Sequence, residues 1–149
     1  MSSTTPPKTV AIASDHAGIG LKAELKAELE RQGYATLDLG TNGPASVDYP
    51  DYGHALARAI EEGRAALGVA VCGTGIGISI AANRHKGVRA ALCHDGLTAR
   101  LAREHNDANV LALGARVIGS ETALECLRQF LNTPFGGGRH AGRVAKLSA

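Results

Sequence analysis

The chain has 149 residues, 44% of them hydrophobic, with 16 Lys and Arg against 14 Asp and Glu and a formal net charge of +2. That is the size of one domain with its own core, and the near-balanced charge argues against a polyanion binder or a disordered tail. Three Tyr, two Phe and no Trp give no base-stacking platform, and Cys72, Cys93 and Cys126, an odd count without C-x-x-C spacing, argue against a disulfide framework or a zinc knuckle and for a reducing, cytoplasmic setting.

Residues 1–8 (MSSTTPPK) hold no apolar stretch of signal-peptide length and are expected to be a disordered lead-in to a single domain over 9–149. No later run approaches the roughly 20 apolar residues of a membrane span. Residues 8–14 (KTVAIAS) predict a strand, followed by Asp15-His16-Ala17-Gly18. A helix is expected over 19–32, with Leu21, Leu25 and Leu29 on one face, Lys22, Glu24, Lys26, Glu28 and Arg31 outside, and Gly33 as its stop. A strand over 35–39, a long loop over 40–50 and a helix over 52–62 follow. Then come strand 67–72, helix 77–85, strand 88–93, helix 96–104, strand 109–113 and helix 121–132. The stretch 134–149 (PFGGGRHAGRVAKLSA) leaves this rhythm, with Arg139, His140, Arg143 and Lys146 at near-helical spacing after three glycines. It reads either as a solvated, mobile end or as a clamp for an anion.

Apolar strands separated by helices imply βαβ units, hence an α/β fold: a three-layer α/β/α, Rossmann-like domain around a five-stranded parallel sheet. Ligands of such sheets sit beyond the carboxyl ends of the strands, where strand order reverses. Asp15-His16 follows the first strand and the run 72–77 follows the third. One pocket holding both requires a strand order beginning 2-1-3.

Residues 69–79 (VAVCGTGIGIS) place a cysteine before glycines at alternate positions. A dinucleotide fingerprint would need its third glycine at Ile78, although Asp95 lies where a ribose-binding acid would be expected, and no P-loop signature occurs. In any reading the glycines free backbone N–H groups at a helix start for an oxyanion or a phosphate. Cys72 is either a small apolar residue closing a strand or a thiol activated by that helix start, and its position alone leaves both open. Cys126 lies on an apolar helix face and reads as core, and Cys93 lacks a glycine cradle. The histidines show no zinc spacing and no clustered carboxylates, so no metal is called for. His54 and His85 read as surface residues on helices, and His105-Asn106-Asp107 as a loop where a histidine could reach a ligand.

Asp15-His16-Ala17-Gly18, Gly40-Thr41 with Asp48-Tyr49-Pro50, 72–83 (CGTGIGISIAAN), 105–110 (HNDANV), Gly114-Ala115-Arg116 and Gly-Gly-Arg139-His140-x-x-Arg143 occur in order along the chain. Together they resemble the ribose-5-phosphate isomerase B family, relatives of the lactose-pathway galactose-6-phosphate isomerases. The likeness runs from Thr9 to Val144. It implies reversible aldose–ketose isomerisation of ribose 5-phosphate and ribulose 5-phosphate, a pentose phosphate pathway step, through an enediolate and without metal or organic cofactor. It also implies that Cys72 is the base moving the proton between C2 and C1, that His105 opens the furanose ring, that Asp15 and Asn106 bind sugar hydroxyls and that Tyr49 lines the pocket. His16, Arg116, Arg139 and Arg143 would hold the phosphate. Family members are homodimers or dimers of dimers, with His105 and its neighbours entering a site shared between subunits.

The residue types suit that chemistry. The N–H groups of Gly73, Thr74, Gly75, Ile76 and Gly77 can stabilise an enediolate where its charge develops, and Thr74 can pass a proton between the substrate oxygens. Guanidinium groups match phosphate bidentately and leave that binding energy for positioning C1 and C2. The expected partner is a small sugar phosphate, with no nucleic acid and no membrane. The lactose-pathway relatives are not expected to keep both His105-Asn106 and the Arg139/Arg143 tail, which favours the pentose phosphate. The alternatives are isomerisation of a six-carbon aldose phosphate such as allose 6-phosphate, and a non-catalytic nucleotide or sugar-phosphate binding module in which Cys72 is dispensable.

Overall fold

The computed structural model describes residues 8–148; residues 1–7, which make up nearly all of the expected lead-in, and Ala149 lie outside the described residues. Its elements are β1 (Thr9–Ser14), a 3₁₀ turn (His16–Gly18), α1 (Ile19–Arg31), β2 (Ala35–Asp38), α2 (Tyr49–Glu61), β3 (Leu67–Cys72) and α3 (Ile76–Ala82). β4 (Ala90–Leu92), α4 (Gly96–Asn106), β5 (Val110–Gly114), α5 (Ser120–Asn132) and α6 (Arg139–Leu147) follow. Among the described residues the five strands pair only in parallel, in the order β2-β1-β3-β5-β4. The expected α/β sheet with an order beginning 2-1-3 is therefore the one that forms.

Side chains alternate across a strand, and here the alternation separates large residues from small ones. Val10, Ile12, Val69, Val71, Leu111 and Leu113 face Leu21, Leu25 and Leu29 of α1, Leu127 and Phe130 of α5, and the alanines of α4. Ala11, Ala13, Ala70 and Cys72 face Leu56 and Ala57 of α2 and Ile78 and Ala82 of α3. Each fully buried Leu, Ile or Val contributes about 1.5–3 kcal/mol. On the small-residue side α2 and α3 pack closely: a Cβ on Gly53 would stand 2.8 Å from that of Ala81.

Several boundaries differ from the sequence expectation. α2 starts at Tyr49 because Pro50 fits a first helical turn, whose N–H groups have no intrahelical acceptor. α4 continues through His105 and Asn106, which were expected in a loop, and ends where Asp107 turns left-handed at φ 47°. α3 stops at Ala82, and the Asn83 side chain bridges the N–H and C=O of Ala90 at 2.7 and 2.9 Å. His85 therefore leaves the helix. Instead of lying separately on the surface, His54 and His85 are half-buried and hydrogen-bonded through Nδ1 and Nε2 at 2.7 Å, with Glu61 on His85 Nδ1 at 3.0 Å. The 139–147 stretch is helical and leaves no residue buried, yet it is tied down: Gly136 N–H donates to Glu104 C=O and His140 stacks on His105 with ring centroids 4.4 Å apart. No described helix is long and apolar enough to cross a membrane.

Two α1 residues expected outside, Lys22 and Glu28, are buried. Glu28 accepts from Gln32 at 2.6 Å and from Arg128 of α5 at 3.4 Å, besides Arg31. The Arg31 hydrogen bond, followed by that of Gln32, holds its carboxyl at about 2 against an ordinary 4.5. The folded state thus binds fewer protons here than the unfolded chain, so the stabilisation is complete above pH 4.5 and is lost as pH falls towards 2. The urea midpoint of the wild type is expected to fall more steeply across that window than that of Glu28→Gln. Parallel curves would show that the Arg31 and Gln32 hydrogen bonds do not hold this carboxyl below its ordinary range.

Candidate active site

β1 and β3 end side by side, Ser14 opposite Val71, and the Asp15 N–H donates to Val71 C=O at 3.2 Å. Asp15 is nearly buried and its Oδ1 accepts the Ala17 N–H at 3.0 Å, which starts the 3₁₀ turn. His16 follows at the rim. Its Nδ1 accepts the Val47 N–H at 3.1 Å, so that nitrogen carries no proton and the neutral ring bears its N–H on Nε2.

Cys72 closes β3 on the small-residue face at 4% exposure, and the Gly75 N–H donates to its Sγ at 3.1 Å. The Ile76 N–H donates to Thr74 Oγ1 at 3.1 Å, which leaves the Thr74 hydroxyl proton for another acceptor. The donors remaining in the 73–77 loop are those of Gly73, Thr74 and Gly77. Glycine is required here by contact as well as by dihedral angle. At φ 80° a Cβ on Gly75 would lie 2.5 Å from Leu92 Cδ1 and 2.8 Å from the Leu113 carbonyl carbon. A Cβ on Gly77 would overlap the Tyr49 ring, and one on Gly114 the Thr74 carbonyl. Gly114 pairs with Cys72 in the β3–β5 register, and the residues after it complete the wall. Ala115 N–H donates to Cys72 C=O and Arg116 N–H to Gly73 C=O, both at 2.9 Å. The Arg116 guanidinium lies over Gly73, with Nη1 3.5 Å from where a Cβ would stand.

The remaining predicted residues lie at the other edge. α4 leaves the carboxyl end of β4 and must reach the amino end of β5, so its 11 residues carry the chain back by about 16 Å. His105 and Asn106 occupy its last turn, where α6 brings His140, Arg139 and Arg143. Burial, then the charges of His105, Arg139 and Arg143, hold His140 below its ordinary 6.5. One chain therefore gathers Asp15, His16, Tyr49, Cys72 to Gly77 and Arg116 at the carboxyl edge, and His105, Asn106, Arg139 and Arg143 at the amino edge. The large apolar Ile76 and Ile80 of α3 stay about half exposed beside the first group.

The other candidate groups are engaged elsewhere. Asp95 caps α4, accepting the Thr98 N–H at 2.7 Å and its hydroxyl at 2.8 Å, and these bonds hold its carboxyl below the ordinary range. The acid that motivated a ribose contact thus serves its own helix. Burial pushes the Cys93 thiol up to about 11 and that of Cys126 to about 12. Among the described residues no three His, Cys, Asp or Glu side chains are grouped to hold a metal ion. Gly114 entered the sequence reading only within the Gly114-Ala115-Arg116 motif, and its packing against the Thr74 carbonyl was not foreseen.

The ribose/galactose isomerase family model matches residues 10–147. Ribose-5-phosphate isomerase B of Escherichia coli (strain K12) is 43% identical over 142 residues, covering 95% of this chain and 95% of that protein. D-erythrulose-4-phosphate isomerase of Pectobacterium atrosepticum is 42% identical over 140 residues, covering 93% and 92%. The solved structure of Clostridium thermocellum ribose-5-phosphate isomerase B superposes with a TM-score of 0.93 at 50% identity, over 94% of this chain and 95% of that one.

Gly33 and Gly75 both have positive φ, but only Gly75 is enclosed. Gly33→Ala is expected to cost about 1 kcal/mol and Gly75→Ala about 2–4 kcal/mol in urea denaturation, the difference being contact with Leu92 and Leu113. Equal losses would mean that the loop yields freely.

Proposed function

The chain belongs to the ribose/galactose isomerase family, and on that premise we propose that it interconverts ribose 5-phosphate and ribulose 5-phosphate. The observation that carries the reading is Cys72, a thiol at a strand end whose sulfur accepts the Gly75 N–H, beside the Gly73, Thr74 and Gly77 N–H groups of the same loop. In the ring-opened aldose, the Cys72 thiolate takes the C2 proton and the electron pair moves through the new C1–C2 double bond onto the carbonyl oxygen. The N–H groups of Gly73, Thr74 and Gly77 stabilise the resulting enediolate. The Thr74 hydroxyl, fixed by the Ile76 N–H, passes a proton between O2 and O1. The Cys72 thiol then returns its proton to C1 as O2 becomes the ketone.

Ring opening falls to His105 and sugar hydroxyl binding to Asp15 and Asn106, with Tyr49 lining the pocket. His16 Nε2–H, Arg116, Arg139 and Arg143 hold the phosphate. The separation of roughly 16 Å along α4 supports a homodimer, or a dimer of dimers, in which His105, Asn106 and the α6 arginines of one copy serve the Cys72 loop of the other. The exposed Ile76 and Ile80 beside that loop suit such a seam. The engagement of Asp95 as a helix cap weighs against the nucleotide-binding alternative.

The test follows conversion of ribose 5-phosphate and allose 6-phosphate by chelator-treated protein. Preference for the pentose is expected, and a reversed preference would move the reading to the six-carbon substrate. Cys72→Ala is expected to lose about 10²–10⁴-fold in kcat in both directions; full activity would sink the mechanism. His105→Ala is expected to slow conversion of cyclic ribose 5-phosphate far more than that of ribulose 5-phosphate, which has no ring to open. Arg139→Ala and Arg143→Ala should each raise the inhibition constant of inorganic phosphate about 10–100-fold, and an unchanged constant would remove α6 from the site.

A further inference from the structure

α1 buries one ammonium group. Lys22 is 3% exposed, and its Nζ donates to Asp38 Oδ1 at 2.8 Å, Thr41 C=O at 2.7 Å and Asn42 Oδ1 at 2.8 Å. Three donors thus meet three acceptors, which makes so deep a charge tolerable. Burial alone would raise the Asp38 carboxyl, but the Lys22 hydrogen bond, the Gly40 N–H and the charges of Lys22 and Lys26 bring it below its ordinary value. All three acceptors belong to the continuous segment 38–42. That segment is also stitched to the end of β1, with Ser14 N–H donating to Gly40 C=O at 2.8 Å and Thr41 N–H to Ser14 C=O at 2.7 Å. From Asn42 the loop runs to Val47, whose N–H sets the His16 ring, and then to Tyr49, whose ring covers Gly77.

We propose that Lys22 is a positioning residue for the phosphate end of the site, fixing the start of the 42–48 loop and through it the orientation and tautomer of His16 and the seat of Tyr49. The proposal rests on the functional reading above for the role of His16. Lys22 itself touches no part of the candidate site. Packing alone would be met by an apolar side chain, whereas an ammonium at this position ties together three acceptors that are far from α1 in sequence. Cys72 closes β3 and the 73–77 loop leads from it into α3, so Lys22 reaches them only indirectly, through the Tyr49 ring over Gly77.

The experiment compares wild type, Lys22→Met and Asn42→Ala, the last removing one acceptor at an exposed position. Inorganic phosphate binding is measured by calorimetry, turnover with ribose 5-phosphate, and the His16 tautomer by ¹⁵N NMR. For Lys22→Met the Kd of phosphate and KM are expected to rise about tenfold while kcat stays within about threefold, and the single Nε2–H form of His16 should give way to a mixture. Asn42→Ala should raise the phosphate Kd about two- to threefold. A folded Lys22→Met with wild-type phosphate affinity and His16 tautomer overturns the proposal. If Lys22→Met does not fold, Asn42→Ala decides, and wild-type phosphate affinity in that variant overturns it. A wild type that binds phosphate but converts no sugar phosphate would sink the isomerase reading while leaving the Lys22 comparison readable.

Discussion

Every strand of the sheet points the same way, and the arrangement of candidate groups follows from that polarity. A parallel sheet has one edge where strands end and another where they begin, and each connecting helix must start at the first and finish at the second. Residues just after a strand share one edge of the molecule with helix starts and their unpaired N–H groups. Residues in the last turn of a helix are delivered to the opposite edge. Asp15, Cys72 and Arg116 belong to the first kind, His105 and Asn106 to the second. No side-chain rotation exchanges them.

At the carboxyl edge, the ends of β1, β3 and β5 are drawn together by what the side chains omit. Gly114 lets the Thr74 carbonyl lie against the strand end, Gly75 admits Leu92 and Leu113, and Gly18 rests on Val71. The N–H groups of the 73–77 loop are therefore held in place by backbone packing when the chain folds. Donors fixed in this way need not reorganise as charge develops, which is the condition under which hydrogen bonds lower a barrier most. The large-residue face of the sheet supports this arrangement from behind, with Val71, Leu113 and Phe130 in one buried cluster.

Much of this was legible in the sequence. Strands apolar on both faces and the Leu21, Leu25, Leu29 stripe announced the layers, and the need for Asp15-His16 and the Cys72 loop to meet gave the order 2-1-3. The placing of β5 between β3 and β4 was not legible, since both are short apolar runs and nothing local ranks them. His105-Asn106-Asp107 has the composition of a turn, yet only Asp107 leaves the helix, because Asn106 tolerates the helical state and the Arg103 side chain braces Asp107 and the Ala108 carbonyl. Lys22 and Glu28 were read as outward because charged residues between leucine turns usually are. Asp38, Thr41 and Asn42, which meet Lys22, and Arg128, which meets Glu28, come from outside α1, and helical periodicity carries no trace of such contacts; only Arg31 and Gln32, three and four residues on from Glu28, were in reach of a spacing argument. The 139–147 helix was hidden by its glycines and by having no buried face of its own.

The placement of His105 and Cys72 at opposite edges also has a genetic consequence. In the proposed two-fold dimer each pocket is co-owned, so a chain lacking the thiol and a chain lacking the imidazole can assemble into a hybrid that restores one pocket completely and concentrates both defects in the other. Two dead alleles would then complement each other. A lesion's severity would depend on which partner it meets as well as on which residue it strikes.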